Sequence, residues 1–281
     1  MLIIRAGDLA GSGREQPFGP DARALTYLTS SEGAGFGVGV VASASDVVTE
    51  AMTYRHHVKM NYVLEGSGTI TNVESGEQWP LGPESFYCVG PNDRYRLELT
   101  GSWKVFSFFN PAIDEGTPHG PEGFPESGPL PAGWEQGGRG MFVRLAQDVE
   151  DKKLTTGFST VRRPLLSADG TGLSLSDLRT TPGEKIDLWY RNHCEANYLV
   201  EGSAEVLDKA TGENHRLVPG DLFVVGPKDR HRVSNTNGVR FLSIFNPPIA
   251  GNERYDEKGG YPPTGDVPPA WQTSSSSSSH S

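Results

Sequence analysis

Two thirteen-residue stretches hold most of the groups in this chain that could do chemistry. Tyr54–Gly66 reads YRHHVKMNYVLEG, and Tyr190–Gly202 reads YRNHCEANYLVEG. Alternate residues of a strand share a face, so an inward Glu195 brings His193, Arg191 and Trp189 inward with it. With His231 supplied from further along, His193, Glu195 and His231 make a two-His-one-carboxylate set. That set suits Fe(II) and leaves positions open for substrate. The first stretch differs where it matters. Its equivalents of Glu195 and His231 are Lys59 and Tyr95. A lysine puts a positive charge where an ion would sit, so the first site is expected to be free of metal. Blander readings of the same residues remain open. His57 stands at the position of His193 where no metal is expected, so His193 is equally a pocket donor. Glu195 could pair with an inward Arg191 as a buried salt bridge, and His231 could be a core histidine satisfied by its neighbours.

The elements that carry these groups are repeated. Leu81–Arg96 (LGPESFYCVGPNDRYR) is echoed by Leu217–Arg232 (LVPGDLFVVGPKDRHR), and Phe109-Asn-Pro by Phe245-Asn-Pro, all at one offset of 136 residues. An offset held across three blocks means two copies of one folded unit. Within each copy, short apolar runs end in turn residues. Asn61–Leu64 and Asn197–Val200 are followed by Glu-Gly, Phe86–Val89 and Leu222–Val225 by Gly-Pro, and Val105–Phe109 and Phe241–Phe245 by Asn-Pro. Strands this short with frequent turns indicate an all-β sandwich or barrel. We expect an all-β protein of two tandem barrels with little helix. An N-terminal domain would span 1–130, a linker 131–140, and a C-terminal domain with the candidate site 141–272. A disordered Ser-rich tail, 273–281, would follow.

Composition narrows the function classes. The 35 glycines and 21 prolines favour turns over long helices. A net charge of −10 argues against a nucleic-acid surface, which needs clustered Lys and Arg. The two cysteines, Cys88 and Cys194, fall at non-equivalent places in the copies and read as unpaired small hydrophobes. With no visible leader or membrane-length apolar run, the expected setting is cytoplasmic. The expected partner is a small-molecule substrate, bound by a monomer or homodimer, with no nucleic acid and no membrane.

The second copy resembles the cupins in the spacing of its motifs. Gly183, Trp189, Arg191, Glu195 and Gly202 fall at the places of the first cupin motif, with Trp189 and Arg191 replacing its two histidines. Gly220, His231 and Asn235 fall at those of the second, with Gly226 and Lys228 replacing Pro and Gly. The resemblance therefore implies two surviving metal ligands, Glu195 and His231. In the first copy the four ligand places hold Thr53, Arg55, Lys59 and Tyr95. The fold implied is the double-stranded β-helix, or jelly roll, in tandem: a bicupin.

A narrower resemblance rests on YRNHCEANYLVEG, GDLFVVGPKDRH, FLSIFNPPIAGNERYDEKGGYP and VRRPLLSADGTGLS. Together these are similar to ectoine synthase, a single-domain, iron-dependent cupin that closes N-γ-acetyl-diaminobutyrate into a cyclic amidine with loss of water. The resemblance implies Glu195 and His231 as ligands, and Phe223 where the family has a ligating Tyr. The first copy has Tyr87 at that place. It implies catalytic roles for Tyr190 and Glu253 and substrate contacts for Arg163, Arg191, Ser243 and Phe245. Tyr255 replaces a family histidine that the first copy keeps as His119. The function implied is a metal-dependent lyase or cyclase acting on a small polar amino-acid derivative. The metal would be Fe(II), with Zn, Mn or Ni as other candidates. Two further readings stay open: an Fe(II) dioxygenase or isomerase, and a non-catalytic bicupin that binds a small molecule.

Overall fold

The computed structural model describes residues 1–18, 21–153 and 159–272. The Ser-rich tail read from the sequence lies outside them. Two nine-stranded antiparallel sheets account for nearly all regular structure. The only α-helix among the described residues is Ala6–Leu9.

The sheets share one strand order. In the first the order runs Phe142–Arg144, Phe86–Val89, Val58–Asn72, Tyr95–Asn110, Gly37–Ser43, Ala22–Leu28, Glu15–Pro17. In the second it runs Leu2–Ile4, Leu222–Val225, Cys194–Asp208, His231–Asn246, Ser174–Arg179, Thr160–Leu165, Lys152–Lys153. The edge strands are exchanged. Leu2–Ile4, from the start of the chain, pairs with Leu222–Val225, while Phe142–Arg144, which opens the second copy, pairs with Phe86–Val89. The two domains expected to divide at 130 and 141 thus each complete the other's sheet.

The segment expected to be a linker is packed into the fold. Trp134 within it is fully buried. Its ring lies against Gly90, where a Cβ would stand 2.7 Å from the indole. Trp271 covers Gly226 in the same way at the end of the second copy, at 2.6 Å. Both glycines are there because an aromatic ring needs the space.

Two strand ends read from the sequence prove to be bulges. Glu65-Gly66 and Glu201-Gly202 lie inside the fifteen-residue strands Val58–Asn72 and Cys194–Asp208. The pairing register slips at both places. Gly202 has φ +84°, and a Cβ there would meet the Gly238 carbonyl oxygen at 2.2 Å. A bulge that needs positive φ and close backbone approach uses glycine for the same reason a turn does.

Alternation along these strands separates two environments. Val58, Met60, Tyr62 and Leu64 join Cys194, Ala196 and Tyr198 in one buried cluster that draws on both halves. Residues of the opposite parity turn into the separate barrel interiors, Val63 into the first and Leu199 into the second. Both cysteines are free and buried in the shared cluster. Polar bonds cross the same interface. The Tyr62 hydroxyl donates to Asp177 at 2.6 Å, and Arg240 grips Asp177 through Nε and Nη2 at 3.0 and 2.8 Å. Glu84 of the first half accepts from Arg162 and Arg179 of the second.

Candidate active site

The strand Cys194–Asp208 sends Glu195 and Asn197 inward between residues committed to the shared core. Glu195 is 4% exposed. Burial pushes its carboxyl up to about 8, with the Asn197 amide opposing the shift. The Ser243 hydroxyl donates to Asn197 Oδ1 at 2.5 Å, which leaves the buried Asn197 Nδ2 without a partner.

His231 enters from the tight turn Gly226–Arg230. The Asp229 carboxylate accepts from the Gly226 amide at 2.9 Å, and the Asp229 carbonyl lies 3.0 Å from His231 Nδ1. A carbonyl can only accept, so Nδ1 carries the proton and Nε2 presents its lone pair. That Nε2 is buried and has no partner. Burial also lowers the imidazole pKa, which keeps the lone pair available.

Glu195 and His231 line one cavity together with Tyr190, Asn197, Phe223, Tyr255, Glu184 and Asn235. An adjoining chamber shares Leu178, Tyr190, Glu195 and Tyr255 with it and adds Arg163, Ser243, Phe245 and Tyr261. The Tyr190 and Tyr255 hydroxyls are 3.1 Å apart. The Tyr255 ring stacks on Tyr261 at 4.7 Å and 8°. Burial, and then the Glu195 charge, hold the Tyr190 phenol well above its ordinary pKa, so it stays protonated. Arg163 is fixed by the Gly251 carbonyl, which accepts from Nη1 at 2.7 Å. Its Nε is buried with no partner.

Four residues singled out from the sequence stand elsewhere. Regular pairing begins at Cys194, so strand alternation does not extend back to Trp189. Arg191 pairs with Asp256 and lies over the Trp189 ring, not beside Glu195. The buried Glu195–Arg191 salt bridge is therefore absent, and Arg191 is not a lining residue of either chamber. Trp189 donates through Nε1 to the Pro227 carbonyl at 2.7 Å. His193 is buried behind Phe245 and Tyr261, with Nε2 3.1 Å from Thr264 Oγ1. His57 meets Ser127 Oγ at 3.0 Å in the same way. Both histidines pin the segment that returns after the last strand, so His193 is not the third ligand. Glu253 accepts from the Ala250 and Gly251 amides and closes its own turn. It lines neither chamber, so the catalytic role expected of it has no geometric support.

The comparisons with known proteins agree with this architecture. The family model described as Ectoine synthase matches residues 1–127 and again 141–265. The chain belongs to the ectoine synthase family. It carries the family unit twice. The L-ectoine synthase of Saccharopolyspora erythraea is 38% identical over 124 residues, covering 43% of this chain and 92% of that protein. That of Oceanobacillus iheyensis is 40% identical over 125 residues, covering 43% and 97%. Solved structures with the same cupin fold include the oxalate decarboxylase–formate complex of Lactobacillus farciminis. It has a TM-score of 0.63 at 13% identity and covers 89% of this chain and 87% of that one. AerE from Microcystis aeruginosa gives 0.59 at 10% identity, covering 83% and 95%.

An ectoine synthase-like metal centre finds two fitting donors here, His231 Nε2 and the Glu195 carboxylate. Both are buried and face one cavity, and His231 Nε2 has no protein partner. The third family position presents only the hydrocarbon ring of Phe223, 6.1 Å from the His231 ring. Among the described residues no three His, Cys, Asp or Glu side chains converge. A divalent ion here would draw its other ligands from water or substrate. Sequence reasoning missed Tyr261 and Asn197 and noted Tyr255 only as a departure from the family. The tyrosines come from the irregular segment after the last strand, which has no periodicity to read. Asn197 could have been found from its place two residues after Glu195.

Proposed function

We propose that the second barrel is an ectoine synthase-type lyase site that closes a small amino-acid derivative into a ring with loss of water. The observation that carries this reading is the meeting, in one cavity, of the unpartnered His231 Nε2, the buried Glu195 carboxyl and the Tyr190–Tyr255 hydroxyl pair. A divalent metal, Fe(II) by family resemblance, would be held by Glu195 and His231 and would polarise an amide carbonyl oxygen as a Lewis acid. The rest falls to the side chains. Arg163, fixed at Nη1 and free at Nε, suits a substrate carboxylate. Tyr190 and Tyr255 stay protonated and adjacent, so the pair can relay the two protons shed by the attacking amine to the departing oxygen, which leaves as water, and end the cycle protonated as they began. Phe223, Phe245 and Tyr261 line the cavity with rings that exclude bulk water from a reaction that expels it.

The test uses the full chain with N-γ-acetyl-diaminobutyrate, following the cyclic amidine by mass. Turnover is expected to disappear on exhaustive chelation and return with Fe(II). Undiminished turnover after chelation would sink the metal-assisted mechanism. A second reading, a bicupin that binds its ligand without changing it, is favoured by Phe223 at a ligand position. Tight saturable binding without product over long incubation would select it. The dioxygenase reading loses its motive with His193 held against Thr264.

A further inference from the structure

The barrel of the first half is not a collapsed copy. It keeps a pocket lined by Tyr54, Lys59, Ser107, Phe109, His119 and Phe124 among others. Lys59 stands at the position of Glu195 and is 7% exposed. Its Nζ donates to Tyr54 Oη at 2.9 Å and lies 5.6 Å from the centre of the Phe109 ring. The other side of Tyr54 Oη is 2.9 Å from His119 Nε2. A protonated lysine can only donate, so Tyr54 accepts from it and gives its own proton to His119.

Among the described residues no carboxylate pairs with Lys59. The acids of the cavity sit at its rim and are engaged there, Glu115 with Arg14 at 3.1 Å and Asp114 with the Ser30 hydroxyl. Arg14 is further held by Glu32. Arg55, at another of the old ligand places, pairs with Glu122 at the surface. One more buried polar atom on the same strand face lacks a partner, Asn61 Nδ2, two residues along from Lys59. A buried ammonium with unused donors and no counter-charge is costly, and a methionine would fill the same space without that cost.

We propose that the first barrel is a second small-molecule site, independent of metal, in which Lys59 holds the carboxylate of a small ligand. The ligand's apolar body lies against Phe109, Phe124 and Tyr54. The proposal stands apart from the reading of the second barrel and survives if that barrel proves inert. The charge of Lys59 sets the pH dependence. Burial pulls its amine down to about 7, so the ammonium that attracts a carboxylate is present below neutrality and lost above it. The titratable groups around it are Tyr54, which it touches, His119 on the other side of Tyr54, Tyr87 and Tyr95, which interact with Tyr54, and, at the rim, Arg14, Asp114 and Glu115. The phenols are all raised by burial. His119 is lowered to about 4 by burial and by Lys59, so neither phenols nor imidazole change charge near neutrality.

The experiment titrates the chelated full-length protein with N-acetylglycine and with its uncharged amide, by calorimetry at pH 6 and pH 8. The acid is expected to bind about tenfold or more tightly than the amide. Its affinity is expected to fall between pH 6 and 8, and Lys59→Met is expected to abolish the preference for the acid. The wild-type pH dependence stands without any variant. Equal binding of acid and amide, undiminished acid binding in Lys59→Met, or no saturable binding of the acid in the tens-of-millimolar range would overturn the proposal. So would a borohydride-trapped adduct of pyruvate on Lys59 without acid binding, because that would make the residue a neutral nucleophile.

Discussion

The two barrels set different side chains on one backbone. Where the second has Glu195, His231, Phe223 and Tyr255, the first has Lys59, Tyr95, Tyr87 and His119. Each change reverses a property. The acid becomes a base, the metal-type imidazole becomes a phenol, and the hydrocarbon ring gains a hydroxyl. What does not change is equally telling. Tyr54 and Tyr190 occupy the same place, and each hydroxyl meets the side chain nine residues after the Asn of the Asn-Pro pair, His119 in one barrel and Tyr255 in the other. Asn61–Ser107 and Asn197–Ser243 make the same hydrogen bond. The scaffold keeps a polar floor and a tyrosine, and the two cavities differ in charge at one strand position.

The comparison can be broken most severely by separating the barrels. A chain of residues 141–272 lacks the Leu2–Ile4 edge strand and bares the shared core, so it is expected to aggregate or remain unfolded. Size-exclusion chromatography and circular dichroism check this, and a soluble, folded, active second half would show the first to be dispensable. Next in size is the metal asymmetry. The double variant Glu195→Ala, His231→Ala should lose bound metal and about a hundredfold or more in turnover. Tyr95→Phe, at the place of His231, should leave metal content unchanged. Elemental analysis decides between a single metal site and none.

A third prediction turns on Lys59. Its amine is lowered in the folded chain, so between about pH 7 and 10.5 the unfolded chain binds the extra proton and stability rises with pH. The stabilisation is absent below about 7 and complete above the ordinary lysine value. Lys59→Met removes the dependence and should be more stable at pH 7 by about 4–5 kcal/mol from the size of the shift. Urea unfolding at pH 7 and pH 10 reads the difference, and parallel pH profiles for the two proteins would refute it. The smallest effect concerns the third ligand position. Phe223→Tyr should raise metal affinity about tenfold, at an unfolding cost of about 1–3 kcal/mol if the hydroxyl finds no partner. Unchanged affinity, with the hydroxyl turned from Glu195 and His231, would mean that the coordination sphere is built differently.

The sequence disclosed the repeat, the all-β class and the strands Phe86–Val89 and Leu222–Val225, because Gly-Pro ends a strand unambiguously. It hid the full length of Val58–Asn72 and Cys194–Asp208, because a glycine in a bulge and a glycine in a turn look alike. Glu195 and His231 could be read from motif spacing and do line one cavity. His193 and Arg191 could not be placed, because the alternation that argued for them presumes a strand that starts later, at Cys194. Glu253 matched a pattern, but its carboxylate is spent on two amides of its own turn. Tyr255 and Tyr261 depend on where an irregular segment crosses the barrel, which only the folded chain reveals. The edge-strand exchange rests on three-residue strands with no pattern long enough to read.

That exchange also sets an order of events during synthesis. Leu2–Ile4 is made more than two hundred residues before its partner Leu222–Val225. The first sheet, for its part, keeps an open edge at Phe86–Val89 until Phe142–Arg144 emerges. Contacts so distant along the chain form late, because the intervening loop must close first. Meanwhile each open edge can accept a strand from any nearby chain. If Leu2–Ile4 of one nascent copy reached Leu222–Val225 of another, the result would be a domain-swapped dimer with every native strand pairing intact. By that route the strands that lock the two halves together would tie the choice between one chain and two to expression level and translation rate.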